Sequence, residues 1–210
     1  MKFTFLHNLS RIYFGVFILF CLCITGGMYA QSINQNIITA TQKDLQTWLD
    51  KIPEGNETPY GFTNRAEFKN AQVGTPIHVL TLSKDEQDNQ TIVILNEYRV
   101  PVVVNNEYRT FVTVVFKDDQ YHIVDLGGSL LAREIQTNMN TLIGNIYLLR
   151  IYPLHTDFLV ESTDGIMATA KYYPLQSAVL SINQLKRTIE SSYTQTDFFE
   201  LINAIYLIKK

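Results

Sequence analysis

Cysteine is nearly absent from this chain of 210 residues. Its two cysteines, Cys21 and Cys23, both fall within the first 30 residues. Residues 31–210 therefore contain no thiol, which excludes disulfides, cysteine nucleophiles and thiolate metal sites from that part of the chain. A chain of about 180 residues can bury a sizeable apolar core without such cross-links.

Positive charge is also scarce. The chain has 17 Lys and Arg against 20 Asp and Glu, and Lys2 and Arg11 precede residue 31. Residues 31–210 thus carry a net charge of −5, and their basic residues are scattered. The sequence therefore predicts no nucleic-acid partner, and it does not favour binding to anionic membranes.

Recognisable catalytic and metal-binding motifs are missing. The histidines that follow the first 30 residues, His78, His122 and His155, form no H-E-x-x-H pair, and no G-x-S-x-G nucleophile elbow occurs. We interpret all three as ordinary surface or half-buried residues. The sequence predicts no catalytic residue, no metal and no cofactor, although a hydrolase without a recognisable motif stays open.

One long apolar run is present, and it lies near the start of the chain. Lys2 and Arg11 precede the run Ile12–Ile24, and Gly26–Ala30 contains small residues. A helix of thirteen residues spans about 20 Å, less than the roughly 30 Å of a bilayer core. Residues 1–30 are therefore predicted to be a signal peptide cleaved after Ala30, with no stable membrane insertion once it is removed. The chain would be exported, either periplasmic or secreted; the alternative is inner-membrane anchoring by an uncleaved leader.

Val, Ile, Thr, Tyr and Phe dominate the stretch Thr91–Leu126, as is typical of strands. Asn105–Asn106 and Asp118–Asp119 interrupt it, and both residue types suit tight turns. We predict an antiparallel meander, with a bend at Pro101 because proline cannot donate to a ladder. The strands of the meander are Pro101–Val104, Tyr108–Lys117 and Tyr121–Asp125.

The middle strand has two faces. Alternation predicts one core face, and the other face keeps Phe111 and Val115, so something should partly cover it too. The residues of the predicted core face are Tyr108, Thr110, Val112, Val114 and Phe116.

Apolar residues at helical spacing predict an N-terminal helix in Ser32–Ile52, a middle helix after Gly128 and a C-terminal helix in Asp197–Ile208. The fold class is therefore α+β: an antiparallel β-meander packed against N-terminal, middle and C-terminal helices. No linker-like stretch divides the chain. We expect a single domain over residues 31–210, or two packed halves, 31–143 and 144–210.

Aromatic residues are abundant, with 12 Phe, 12 Tyr and one Trp. Tyrosine is favoured at interfaces, where apolar contact needs a polar group. The aromatics of one loop and of the second half of the chain either complete the core or form a binding face. The candidates for that face are Tyr60, Phe62, Tyr152, Tyr172 and Tyr173.

The string VPVVVNNEYRTFVTVVFKDDQYHIVDLG, Val100–Gly127, resembles uncharacterised exported proteins of the Bacteroidetes type. It is more distantly similar to the non-catalytic sheet segments of secreted papain-like peptidases and to PepSY or cystatin-like modules. The resemblance implies a helix packed on an antiparallel sheet, and it implies no catalytic residue.

The sequence thus favours an exported, non-enzymatic binding protein. Its partner would be a protein or peptide, such as an exported peptidase, bound at a sheet edge or at the tyrosine-rich face. The alternatives are the hydrolase without a motif and a structural component of an envelope assembly.

Overall fold

The structure, a computed structural model, describes residues 33–84, 86–87 and 89–208. The predicted leader, residues 1–30, lies outside this range. No helix within the described ranges is both long and apolar enough to span a membrane. The strands are β1 (Gln72–Val73), β2 (Ile77–Lys84), β3 (Gln90–Val104), β4 (Glu107–Lys117), β5 (Gln120–Gly127), β6 (Asn145–Ile151), β7 (Thr156–Ser162) and β8 (Lys171–Pro174). The helices are α1 (residues 33–49), α2 (Ser129–Met139), α3 (Gln176–Gln184) and α4 (Gln195–Ile208).

The strands form one open sheet in the order β5-β4-β3-β2-β6-β7-β8, with β1 also paired to β3. Neighbours are antiparallel except β2 and β6, which run parallel and join two meanders, β2–β5 and β6–β8. A parallel pair needs a long crossover connection, and the chain from β3 through α2 supplies it. The predicted α+β class, an antiparallel sheet with helices packed against it, is confirmed.

Both turns of the first meander have two residues in the left-handed region. Asn105 and Asn106 have φ of 53° and 65°, and Asp118 and Asp119 have φ of 51° and 58°. Positive φ at both central residues defines the type I′ turn, whose twist matches that of the flanking strands. The Asn and Asp pairs therefore set the registers of β3–β4 and β4–β5.

Helices cover both faces of the sheet. The front face carries α1 over β3–β5 and α4 over β6–β8, and the back face carries α2. Val112 and Val114 of β4 pack beneath α1, whereas Phe111 packs against Ala132 and Ile135 of α2. The expectation that both faces of this strand are covered is confirmed.

Two details of the predicted meander are wrong. Tyr108 packs in the back cluster instead of the front one, because a register shift between Val102 and Val103 leaves Arg109 as an extra residue. Strand β3 also continues through Pro101 without ending. The Pro101 carbonyl accepts from the Gly74 N–H at 2.8 Å, so the missing proline donor faces the break between β1 and β2, where no ladder partner needs it.

Candidate functional site

Five rings form a row across the front face, and we call this row the aromatic strip. Its members are Tyr147 of β6, His78 of β2, Tyr98 of β3, Tyr121 of β5 and Phe116 of β4. Successive ring centroids lie 6.5, 4.3, 6.1 and 4.9 Å apart. The strip therefore measures at most about 22 Å, the length of about six extended residues.

Cross-strand pairing produces this row. His78 pairs with Tyr98 on one side and with Tyr147 on the other, and Tyr121 pairs with Phe116. Side chains at paired positions point to the same face, so residues of five strands become neighbours. Tyr98 and Tyr121 pack against the core beneath α1 and Tyr147 against the core beneath α4. The strip thus runs from the core beneath α4 to the core beneath α1.

A bulge in β3 holds the centre of the strip. His78 pairs with Tyr98 but Leu80 pairs with Ile94, so three residues of β3 lie opposite one residue of β2. The His78 Nε2 donates to the Leu95 carbonyl at 2.7 Å, because a carbonyl can only accept. This bond satisfies a carbonyl in the bulge and holds the imidazole parallel to the Tyr98 ring, at an interplanar angle of 14°.

Burial of the strip favours neutral rings. It lowers the pKa of His78, although the bond to the Leu95 carbonyl acts in the opposite direction. Burial and the neighbouring Tyr121 raise the pKa of Tyr98. Between the ordinary pKa values of histidine and tyrosine, the His78 and Tyr98 rings are therefore uncharged, and they can offer stacking surface and hydrogen bonds without charge.

The strip opens at one end into a cleft of about 420 Å³. The first turn of α1 borders this cleft with Ile33 and Asn34, and the start of β6 borders it with Asn145. Tyr98 and Tyr147 form part of its wall. Apolar side chains with a few amide and phenol groups are typical of binding clefts in proteins.

The back face carries a different surface, a charged cluster of Glu97, Arg99, Arg150, Tyr152 and Asp157. Arg150 binds Asp157 through two nitrogens, at 2.8 and 3.2 Å, and Arg99 Nη2 lies 3.1 Å from Glu97 Oε1. The Tyr152 hydroxyl donates to Glu97 at 3.4 Å. The hydrogen bond to Asp157 raises the pKa of Arg150. Because its acidic and basic side chains pair with one another, we interpret the cluster as a structural ion-pair network.

Two of the five predicted site residues lie in the core. Phe62 is 1% exposed and meets Phe68 edge-on at 4.9 Å. Tyr172 is fully buried and stacks on Phe198 at 4.4 Å, and burial raises its pKa to about 12. Neither ring can contact a ligand in this conformation, so for this pair the core interpretation is correct.

The other three predicted residues lie on separate surfaces. Tyr60 is half-buried beside the core under α1, and Tyr152 is 44% exposed in the charged cluster. Tyr173 packs on the back face, where its hydroxyl donates to Glu161 at 2.7 Å; burial and that carboxylate raise its pKa to about 12. The predicted set does not form one face. The members of the strip were missed because only the strand register groups them.

Among residues 33–84, 86–87 and 89–208, no group of three or more His, Asp or Glu side chains could hold a metal ion. His122 and His155 are exposed, on β5 and after β6 respectively. His78 donates a hydrogen bond from Nε2 to the Leu95 carbonyl.

No family model matches this chain, and neither a curated protein nor a solved structure matches it at a significant level. The chain is thus an α+β protein with helices on both faces of an open, mostly antiparallel sheet. Its functional interpretation depends on the geometry of its own surfaces.

Proposed function

We propose that this protein is a binding module that holds a short polypeptide segment of a partner against the aromatic strip. The observation that carries the proposal is the row of five rings, of which four are half-buried and Phe116 is 41% exposed.

The length and chemistry of the strip favour a polypeptide as its occupant. A surface of at most about 22 Å fits about six extended residues. Tyrosine and histidine rings combine apolar faces with hydrogen-bonding groups, which suits side chains and backbone amides together. Phe116 is 41% exposed and Ile94, also on the front face, is 55% exposed, so an apolar segment would gain from covering them.

The basic, apolar and small-residue pattern of residues 1–30 supports a location outside the cytoplasm. We propose that the protein acts there without catalysing a reaction. Its partner would then be another exported or envelope polypeptide.

The experiment is selection of peptides from a randomised library displayed on phage, with the full chain as bait. We expect enrichment of peptides with aromatic or long aliphatic side chains. Phe116→Ser should weaken binding of the selected peptides about tenfold, since an aromatic contact contributes about 0.5–1.5 kcal/mol beyond its buried area.

Leu130→Ser is the matched control, because Leu130 is 76% exposed on α2, which packs on the opposite face of the sheet from the strip. This variant should bind the selected peptides as the wild type does. Equal loss in both variants, or no enrichment over bait-free selection, would contradict the proposal.

A further inference from the structure

The cleft at one end of the aromatic strip lies where two central strands begin. Its walls include the start of β2 and the start of β6, and the ladder between these strands begins at His78 and Tyr147. Pro76, which precedes β2 and also lines the cleft, has no N–H with which to extend that ladder. The cleft therefore occupies the space beyond the first paired residues of the two strands.

Residues from both helical layers line this cleft. Ile33 of α1 packs against the core on the front face, and Met139 of α2 packs in the back cluster. Tyr98 and Tyr147 add ring surface, so the wall combines aliphatic groups, a thioether and aromatic rings. Such a wall favours a flat aromatic side chain, because an aromatic ring makes favourable contacts with methionine sulfur and with other rings.

The volume of the cleft suits a single large side chain. At about 420 Å³, it lies near the lower end of the range of about 300–1,000 Å³ that is typical of ligand pockets. One turn of an α-helix with its side chains, about 5.4 Å long and about 11 Å wide, fills about 500 Å³. The cleft is therefore too small for a helix of a partner but large enough for one of its side chains.

Polar groups at the cleft restrict the chemistry of that side chain. Asn34, Thr75 and Asn145 line the cleft, and their side chains have no hydrogen-bond partner within the described ranges. Asn34 is half-buried, whereas Thr75 and Asn145 are exposed. Among the residues that the structure describes, no Asp, Glu, Lys or Arg lines the cleft. The cleft thus offers hydrogen bonds without a counter-charge, which disfavours a charged side chain because its charge would lose water without gaining a partner.

We propose that the cleft binds one tyrosine or tryptophan side chain of the polypeptide that lies on the strip. Both side chains have a flat ring and one hydrogen-bond donor. The ring packs against Met139 and Tyr98, and the donor meets the side-chain oxygen of Asn34. Phenylalanine lacks the donor, and leucine lacks the ring as well. The inference rests on the proposed function, because Tyr98 and Tyr147 belong to the strip and to the cleft, so an occupant of one continues into the other.

The test is NMR of the full chain with isotope-labelled methionine methyl groups. Met139 lines the cleft, and Met167, which packs against the core beneath α4, is the internal control. The probes are the N-acetyl amides of tyrosine, tryptophan, phenylalanine and leucine at millimolar concentrations. The tyrosine and tryptophan amides should shift the Met139 resonance to saturation and leave that of Met167 in place. The phenylalanine amide should bind about fivefold more weakly, since it cannot make the hydrogen bond, and the leucine amide should bind most weakly of all.

Asn34→Leu removes the acceptor and keeps a side chain of similar size. This variant should bind the tyrosine amide about fivefold more weakly and the phenylalanine amide as the wild type does. Asn36→Leu is the matched control, because Asn36 is exposed on α1 and is not among the residues that line the cleft. It should leave the binding of both amides unchanged.

A Met139 resonance that moves with none of the four amides overturns the proposal, as does equal binding of the tyrosine and phenylalanine amides. Equal shifts of Met139 and Met167 would also refute it. Failure of this inference differs from failure of the proposed function. Phage-selected peptides that respond to Phe116→Ser without shifting Met139 would refute the side-chain cleft and leave the binding module intact. Amide binding at Met139 without any enriched peptide would support the cleft and contradict the proposed function.

Discussion

Replacing His78 by Phe tests the contact that joins β2 to the bulge of β3. In the wild type, the imidazole donates to the Leu95 carbonyl at 2.7 Å and stacks on Tyr98 with ring centroids 4.3 Å apart. Phe keeps a flat ring of similar size against Tyr98 but has no donor. The substitution therefore isolates the hydrogen bond from the stacking.

The magnitude follows from these two contacts. An intramolecular hydrogen bond contributes about 1 kcal/mol net, so His78→Phe should lower the free energy of unfolding by about that amount. His78→Ala also removes the ring contact, worth about 0.5–1.5 kcal/mol, and should cost about 2 kcal/mol in all. The difference in free energy of unfolding between His78→Phe and His78→Ala measures the contribution of the ring contact with Tyr98.

The pH dependence supplies a second signature. Burial lowers the pKa of His78 in the folded protein below its ordinary value of 6.5, so the unfolded chain binds a proton more readily. The stabilisation is fully present above the unfolded pKa and is lost as the pH falls through the lower, folded pKa. His78→Phe should lack this acid-dependent loss.

The assay is urea denaturation of the full chain at about pH 7.5 and at about pH 5.5. His155→Asn is the control, because His155 is exposed and has a φ of 49°, a conformation that Asn tolerates. If His78→Phe matches the wild type in stability and in pH dependence, the assigned hydrogen bond does not stabilise the fold.

Two further predictions concern stability. Val114→Asp should lower the free energy of unfolding by about 3 kcal/mol or more in urea denaturation, because Val114 is 1% exposed beneath α1 and the carboxylate would have no partner. Leu130→Asp, at an exposed site, should change it by less than about 0.5 kcal/mol; similar losses in both would mean that the register of β4 is wrong. Glu161 accepts from the Ile143 and Gly144 N–H groups and from Tyr173, bonds that lower its pKa, so its stabilisation should disappear as the pH falls below about 4.5. Glu161→Gln should remove about 1–2 kcal/mol near neutral pH and flatten the acid limb of a pH titration followed by circular dichroism; an unchanged acid limb would refute this role.

Predictions that depend only on neighbouring residues agree with the structure. The Asn105–Asn106 and Asp118–Asp119 turns adopt the left-handed conformation that these residue types tolerate. The prediction that Tyr108 lies on the core face is wrong for a non-local reason, since the register shift opposite Val102 moves its side chain to the other face. The prediction that a strand begins at Pro101 is wrong because the side of Pro101 that lacks an N–H faces the break between β1 and β2.

The candidate site shows the same division. Its five rings belong to strands β2 to β6, and a sequence cannot state which rings become neighbours until the strands are paired. Tyr172, a residue of the predicted binding face, is buried because α4 brings Phe198 onto it. Composition therefore indicated an excess of aromatic side chains but could not separate the accessible rings from the core.

Sequence alone determined the fold class, the turns of the first meander and the absence of thiols after residue 30, because composition, periodicity and turn chemistry are properties of neighbouring residues. Tertiary structure alone decided the parallel pairing of β2 with β6, the aromatic strip and the bulge of β5. These features depend on contacts between residues that are far apart in the chain, and on bulges that change which face a side chain occupies.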